Sequence, residues 1–154
     1  MFVRGAPDLH VLWGWLQVGA VIQVGMDPVP EWASGHPHVA SPDHRRFNTV
    51  YQASDSLTLG GMEVGASGAG VFRIYRDNLR LTAPGKSRGR WSLPRWFLPT
   101  ENRRPLGYHA DPDRWSADGD QVLLRTVGRG QEFVLDMKEY PEAAEWVREL
   151  HTKH

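Results

Sequence analysis

The 154-residue chain contains no cysteine. Disulfides, thiolate metal sites and a cysteine nucleophile are excluded, and a reducing, cytoplasmic setting is expected. Long apolar runs are also missing. None approaches the roughly 18 residues a membrane-spanning helix needs, and Met1 to Leu9 lacks an apolar leader with a small-residue cleavage site. We therefore expect a soluble protein with no membrane partner. Repeats and low-complexity tracts are absent, which excludes solenoids and fibres. Lysine is scarce, at three residues against 15 arginines, and the net charge is zero. A field of one sign over the whole molecule is thereby excluded.

The charges are nevertheless unevenly placed. Residues 73–104 hold nine cations and two anions, residues 1–72 three and six, and residues 105–154 six and ten. A basic middle lies between acidic flanks. Arginine rather than lysine supplies it, and a guanidinium grips phosphate through two parallel hydrogen bonds and stacks on bases.

Glycine and proline punctuate the chain densely, at 16 and 11 residues, which favours short strands over helices. The length suits one domain over residues 1–154. Leu9 to Val24 reads as one bent strand or two, interrupted by Gly14 and Gly19. Met26 to His44, with four prolines, reads as a long loop, and Thr49 to Ala53 as a strand. Leu59 to Gly70 reads as glycine-rich loop, followed by strands at Gly70 to Tyr75 and Asn78 to Thr82. Residues 83–117 read as mostly irregular, with one helical turn at Ser92 to Phe97. Gln121 to Val127 and Gln131 to Asp136 read as a hairpin through Gly128-Arg129-Gly130. One helix is expected at the end. Pro141 starts it, glutamates sit at its positive end, and Ala143, Trp146, Val147 and Leu150 form an apolar stripe. The sum is an α+β, β-rich domain: a small bent barrel or a mixed sheet with long loops and a C-terminal helix.

Five groups of residues carry candidate chemistry. His36-Pro37-His38 places two imidazoles where one ligand can meet both, with His44 or His109 in reserve. No carboxylate stands at a recognisable metal spacing, so no metal and no cofactor are expected. Gly65 to Gly70 is glycine-rich, but it lacks the strand–turn–helix context of a dinucleotide fingerprint; it is a loop-amide phosphate cradle or a plain turn. The block from Lys86 to Phe97 alternates cations with rings. Arg88, Arg90 and Arg95 suit phosphates, while Trp91 is a stacking surface or a core anchor. Tyr108-His109 precedes Arg114-Trp115, and His109 titrates near neutrality, as a general acid or base must. Gln131 and Glu132 point to opposite sides of an extended chain, so one of them faces inward.

Several segments occur in a telling order: Leu12-Trp-Gly-Trp-Leu-Gln-Val18, His36-Pro-His38, Asn48-Thr-Val-Tyr51, Gly68-Ala-Gly-Val-Phe72, Leu79-Arg-Leu-Thr82, Ser92-Leu-Pro-Arg-Trp-Phe97, Leu106-Gly-Tyr-His109, Arg114-Trp115 and Arg129-Gly-Gln-Glu-Phe-Val134. As a set they resemble the nucleotide modification associated domain 3 family over nearly the whole chain. The resemblance implies a link to modified bases and brings no catalytic roles with it. It draws Asn48, Tyr51 and Tyr108 in as ligand-contact candidates beside His36 and His38. Family members carry a further N-terminal region ahead of the Trp-Gly-Trp-Leu-Gln segment. A homo-oligomer, or a partner that supplies this part, is therefore an expectation. A looser similarity to PUA-like barrels points to base reading.

Two functions follow. In the first, the chain binds a modified base in DNA, or a modified nucleotide. Trp13, Trp91 or Trp115 stacks the base, Arg88, Arg90, Arg95 and Arg114 hold phosphates, and Gln131 reads a base edge. In the second, it is an enzyme that processes a modified nucleotide, with His109 and Glu132 as acid and base.

Overall fold

The structure, a computed structural model, describes residues 5–40, 48–129 and 131–152. Two compact units are found, Gly14–Val71 and Met1–Trp13 together with Phe72–His154.

In the first unit the chain forms β1 (Gly14–Leu16), β2 (Val18–Gln23), the short helix α1 (Pro37–Ala40), β3 (Thr49–Ala53), β4 (Ser56–Leu59), β5 (Met62–Ser67) and β6 (Ala69–Val71). The strands pair antiparallel as three ribbons, β1 with β6, β2 with β3 and β4 with β5. Ile22, Val24 and Val50 make a small core with Val29 and Val39 against it. Gln17 ties the ribbons together. Its amide mimics a strand, with Nε2 donating to the Thr58 carbonyl at 2.7 Å and Oε1 accepting from the Thr58 N–H at 2.8 Å. Its backbone N–H donates to Gly68, and its carbonyl accepts from Ser54.

The expected strand at Thr49 to Ala53 is present, and the Leu9 to Val24 stretch resolves into two strands. The expected loop at Leu59 to Gly70 is corrected to two strands: Gly65 lies inside β5 and Gly70 inside β6, while Gly60 and Gly61 form the turn before β5 and Gly68 the bend between β5 and β6. Close approach demands two of these glycines. A Cβ on Gly68 would lie 2.0 Å from the Ser54 carbonyl oxygen, and one on Gly70 would lie 2.5 Å from the Trp15 indole. The expected loop from Met26 onward contains a 3-10 turn, Glu31–Ala33, and α1.

The second unit is built on β7 (Arg90–Pro94), β8 (Trp115–Asp118) and β9 (Gln121–Arg125), in the order β7-β9-β8 and all antiparallel. Beyond β7 the ladder continues through isolated bridges, Thr82 to Trp91 and Val11 to Arg80. The expected strand at Asn78 to Thr82 is therefore reduced to a 3-10 turn, Asp77–Leu79, followed by bridging residues. One sheet face buries Trp91, Leu93, Val122, Leu124 and Trp115 in a core completed by Phe97, Leu106, Tyr140 and Ala143.

Helix α2 (Glu142–His151) forms where the stripe predicts, with Trp146 packed on this core. Its last carbonyls are capped from a distance. Arg76 donates to Leu150 and Thr152, and Asn78 donates to Glu149. This satisfies acceptors that a helix end leaves open. The loop before α2 is held by Arg103, which pairs with Glu142 at 2.7 Å and lies over the Tyr140 ring.

One further correction and one refinement belong to this unit. Residues 83–117 are mostly irregular as expected, with a 3-10 turn at Arg95–Phe97 inside the expected Ser92 to Phe97, but they also contain β7 and the start of β8. The hairpin through 128–130 does not form: Gln131 to Asp136 is not a strand, because both edges of β9 are already occupied, by β7 and β8. Gly130 lies outside the described residues. The α+β, β-rich class with a C-terminal helix holds. The barrel alternative does not: among the described residues the sheets have two or three strands and none closes.

Candidate nucleic-acid interface

The outer face of the three-stranded sheet follows from strand alternation. With Trp91, Leu124 and Trp115 in one row on the core face, the next row must point the other way. That row contains Arg90 of β7, directly opposite Arg125 of β9. Arg114 immediately precedes Trp115, the β8 residue that pairs with Leu124, so it flanks Arg125 at the same end.

Like charges opposed across a ladder destabilise it, by about 0.2–1 kcal/mol. Both Arg90 and Arg125 are exposed, and among the described residues neither is ion-paired. Arg88 lies beside Gly128 and pairs with the exposed Asp8 at 2.7 Å, and exposed Arg129 follows Gly128. Arg114 pairs with Asp111 at 3.3 Å from the 3-10 turn Pro112–Arg114, which the Asp111 carboxylate caps. Arg95 stands at the other end of β7, where it donates to the Gly119 carbonyl at 2.6 Å. The structure thus gathers Arg88, Arg90 and Arg114 at one end of the sheet with Arg125 and Arg129, and it places Arg95 apart.

Beneath this row lies a ring cluster. Trp91, 1% exposed, donates its indole N–H to His10 Nδ1 at 2.8 Å. The His109 ring meets the edge of Trp91 with centroids 5.4 Å apart, and Phe133 lies 6.2 Å from the same indole. Trp115, 8% exposed, donates its indole N–H to the His109 carbonyl at 2.9 Å. Trp91 and Trp115 are thus core residues on the face opposite Arg90.

His109 is 0% exposed, and among the described residues neither ring nitrogen has a hydrogen-bond partner. Burial pushes its pKa below the usual histidine range, and the Arg114 charge lowers it further. The imidazole is therefore neutral at pH 7. It is held by the turn Leu106–His109, closed by the His109 N–H on the Leu106 carbonyl at 3.1 Å. Within that turn Tyr108 has φ 66°, the one positive φ outside glycine among the described residues. A left-handed conformation costs such a residue about 1–2 kcal/mol.

The remaining candidates divide cleanly. Gln131 is half-buried with Oε1 unpartnered, while Glu132 is exposed, so the alternation turns Gln131 inward. No hydrogen bond or ion pair joins Glu132 to His109 among the described residues. His36, His38, Asn48 and Tyr51 belong to the first unit. There His36 Nδ1 accepts from the His38 N–H at 3.2 Å, Asn48 donates to the His38 carbonyl at 2.8 Å, and Tyr51 pairs with Val21 on an exposed face. His44 lies outside the described residues, among which no group of three or more metal-ligating side chains occurs. Gly65 and Gly70 lie in strands with Gly68 at the bend between them, and Gly68 and Gly70 are closed by packing.

Sequence reasoning missed Arg125 and His10. Arg125 sits 35 residues from Arg90, and only the strand register reveals the pairing. His10 stands inside an apolar run and carried no signal.

A family model described as nucleotide modification associated domain 3 matches residues 2–136. No curated protein and no solved structure matches the chain.

Proposed function

Since the chain belongs to the nucleotide modification associated domain 3 family, we propose that it binds DNA containing a modified base, with the backbone phosphates laid on the arginine-rich end of the three-stranded sheet. The Arg90–Arg125 pair carries this reading. Two unpaired guanidiniums opposed across a ladder weaken the free protein and are satisfied together by one bridging phosphate. Arg88, Arg114 and Arg129 extend the same surface. The family description ties the chain to nucleotide modification, and the arginines supply the sequence-independent part of binding.

Acid–base chemistry by His109 and Glu132 is the weaker reading. His109 is closed off from solvent, whereas Glu132 is exposed.

A salt-dependent titration tests the proposal, using matched oligonucleotides with plain and hydroxymethylated cytosine. Log affinity should fall linearly with log salt. Arg90→Gln combined with Arg125→Gln should make the slope shallower by about 0.9 per lost phosphate contact on duplex and about 0.7 on single strands. The hydroxymethylated strand should bind more tightly. An unchanged slope in the double variant defeats the assignment of these arginines, and equal affinity for both strands defeats modified-base recognition.

A further inference from the structure

We propose that the outer face of the β7-β9-β8 sheet seats one unpaired nucleotide, with Asp118 selecting a base that carries an exocyclic amine; this rests on the phosphate-binding reading above. Strand register and alternation lay the face out in three rows. Arg90 and Arg125 make the first. Ser92, Leu123 and Ser116 make the second, and Pro94, Gln121 and Asp118 the third. The middle row is low and smooth. Its two hydroxyls carry no hydrogen bond among the described residues, and Leu123 between them is half-buried and outside the core cluster. The opposite face of the sheet is closed, with Trp91 and Trp115 only 1% and 8% exposed. A base whose phosphate lies on Arg90 and Arg125 therefore has this outer face to lie on.

Arg125 and Gln121 stand four positions apart on β9, about 13 Å along an extended strand. One nucleotide covers that span from its phosphate to the far edge of its base once the flexible arginine side chains lean inward. The charges fix its direction. Asp118 is exposed and without an ion pair among the described residues, and exposed Asp120 follows in the turn. Arg95, at that end, donates to the Gly119 carbonyl. A second phosphate following β9 would meet these carboxylates, so the backbone crosses the strands at the arginine end while one base points along the sheet toward Asp118. A carboxylate accepts hydrogen bonds and donates none. It accepts from the amine of a cytosine-type base and repels the carbonyl oxygen that a uracil-type base presents at the same place. A base stacked within a duplex cannot lay its face on Leu123, so the base is unpaired.

The test uses the full chain and two single strands that differ only at a central base, hydroxymethylcytosine in one and hydroxymethyluracil in the other. The pair exchanges an amine for a carbonyl at constant size. Wild type should prefer the amine-bearing strand about ten-fold. Asp118→Asn, whose amide both donates and accepts, should erase that preference with an unchanged salt slope and melting temperature. Asp118→Glu, which keeps the carboxylate, should retain it. So should Asp120→Asn, which removes the same charge from the turn. Equal affinity of the wild type for the two strands, or a preference that survives in Asp118→Asn, overturns the base-edge assignment; the arginine assignment then still stands if Arg90→Gln with Arg125→Gln makes the salt slope shallower. A preference lost equally in Asp120→Asn also overturns it, since general charge rather than contact would then be responsible. Failure of the wild type to bind either strand overturns both assignments.

Discussion

At the scale of single residues, one turn of the second unit combines two unfavourable features. Tyr108 is conformationally strained, and the adjacent His109 imidazole is buried without a hydrogen-bond partner among the described residues. The histidine makes stability depend on pH with a definite sign. In the unfolded chain the imidazole titrates near 6.5, whereas burial lowers its value in the folded state. Below about pH 6.5 the unfolded chain binds the proton more readily. Stability is therefore full above that pH and falls on acidification, by at most about 1.4 kcal/mol per pH unit. Urea unfolding at intervals from pH 7.5 to 5 should show this decline, and His109→Leu should flatten it. A decline that persists in the variant removes His109 as its source. The residue-level signals were partly legible. The basic character of Arg88 and Arg90 and the marginal position of His109 could be read from neighbours in sequence. The strain at Tyr108 could not, because it arises from anchoring both ends of its turn in the core.

At the scale of elements, local pattern succeeded where the element is self-sufficient. The α2 stripe and the β-branched run of β3 specify their own periods, and both appear where they were expected. Pattern failed where a partner decides. Ser92 to Phe97 reads as a helical turn because of Ser92 and Pro94, and only Arg95–Phe97 becomes one, because the backbone up to Pro94 belongs to β7, claimed on one side by β9 and on the other by the bridge from Thr82. Gln131 to Asp136 has strand propensity but no free edge of β9 to join. Gly68 and Gly70 mislead for a third reason: close contact rather than turning requires them. Gly70→Ala puts this to the test. Its Cβ would meet the Trp15 ring at 2.5 Å, so either the ring or β6 must shift. Overpacking of this kind costs about 1–3 kcal/mol, which thermal unfolding should register. Gly60→Ala, where nothing lies within 4 Å, isolates the strain of positive φ as a comparison. Equal losses in the two variants remove the packing argument.

At the scale of the whole molecule, a net charge of zero conceals a local field. The composition revealed a basic middle but not its geometry, because the strand register brings Arg125, from the acidic C-terminal third, beside Arg90. Cation-exchange chromatography near the sequence pI of about 7.1 should therefore still retain the protein. Arg90→Gln with Arg125→Gln should elute markedly earlier. Lys138→Gln with Arg148→Gln, which removes as many charges away from the sheet, should shift elution less. Equal shifts would mean that no concentrated patch exists. On the phosphate-binding reading proposed above, the opposed arginines also set folding against recognition. Replacing either one relieves repulsion in the free protein, so enrichment for thermal resistance alone will favour chains that have shed part of their ligand surface. Variants improved in that way would look healthier by every biophysical measure made without ligand, while the phosphate binding proposed for the pair would fall unnoticed.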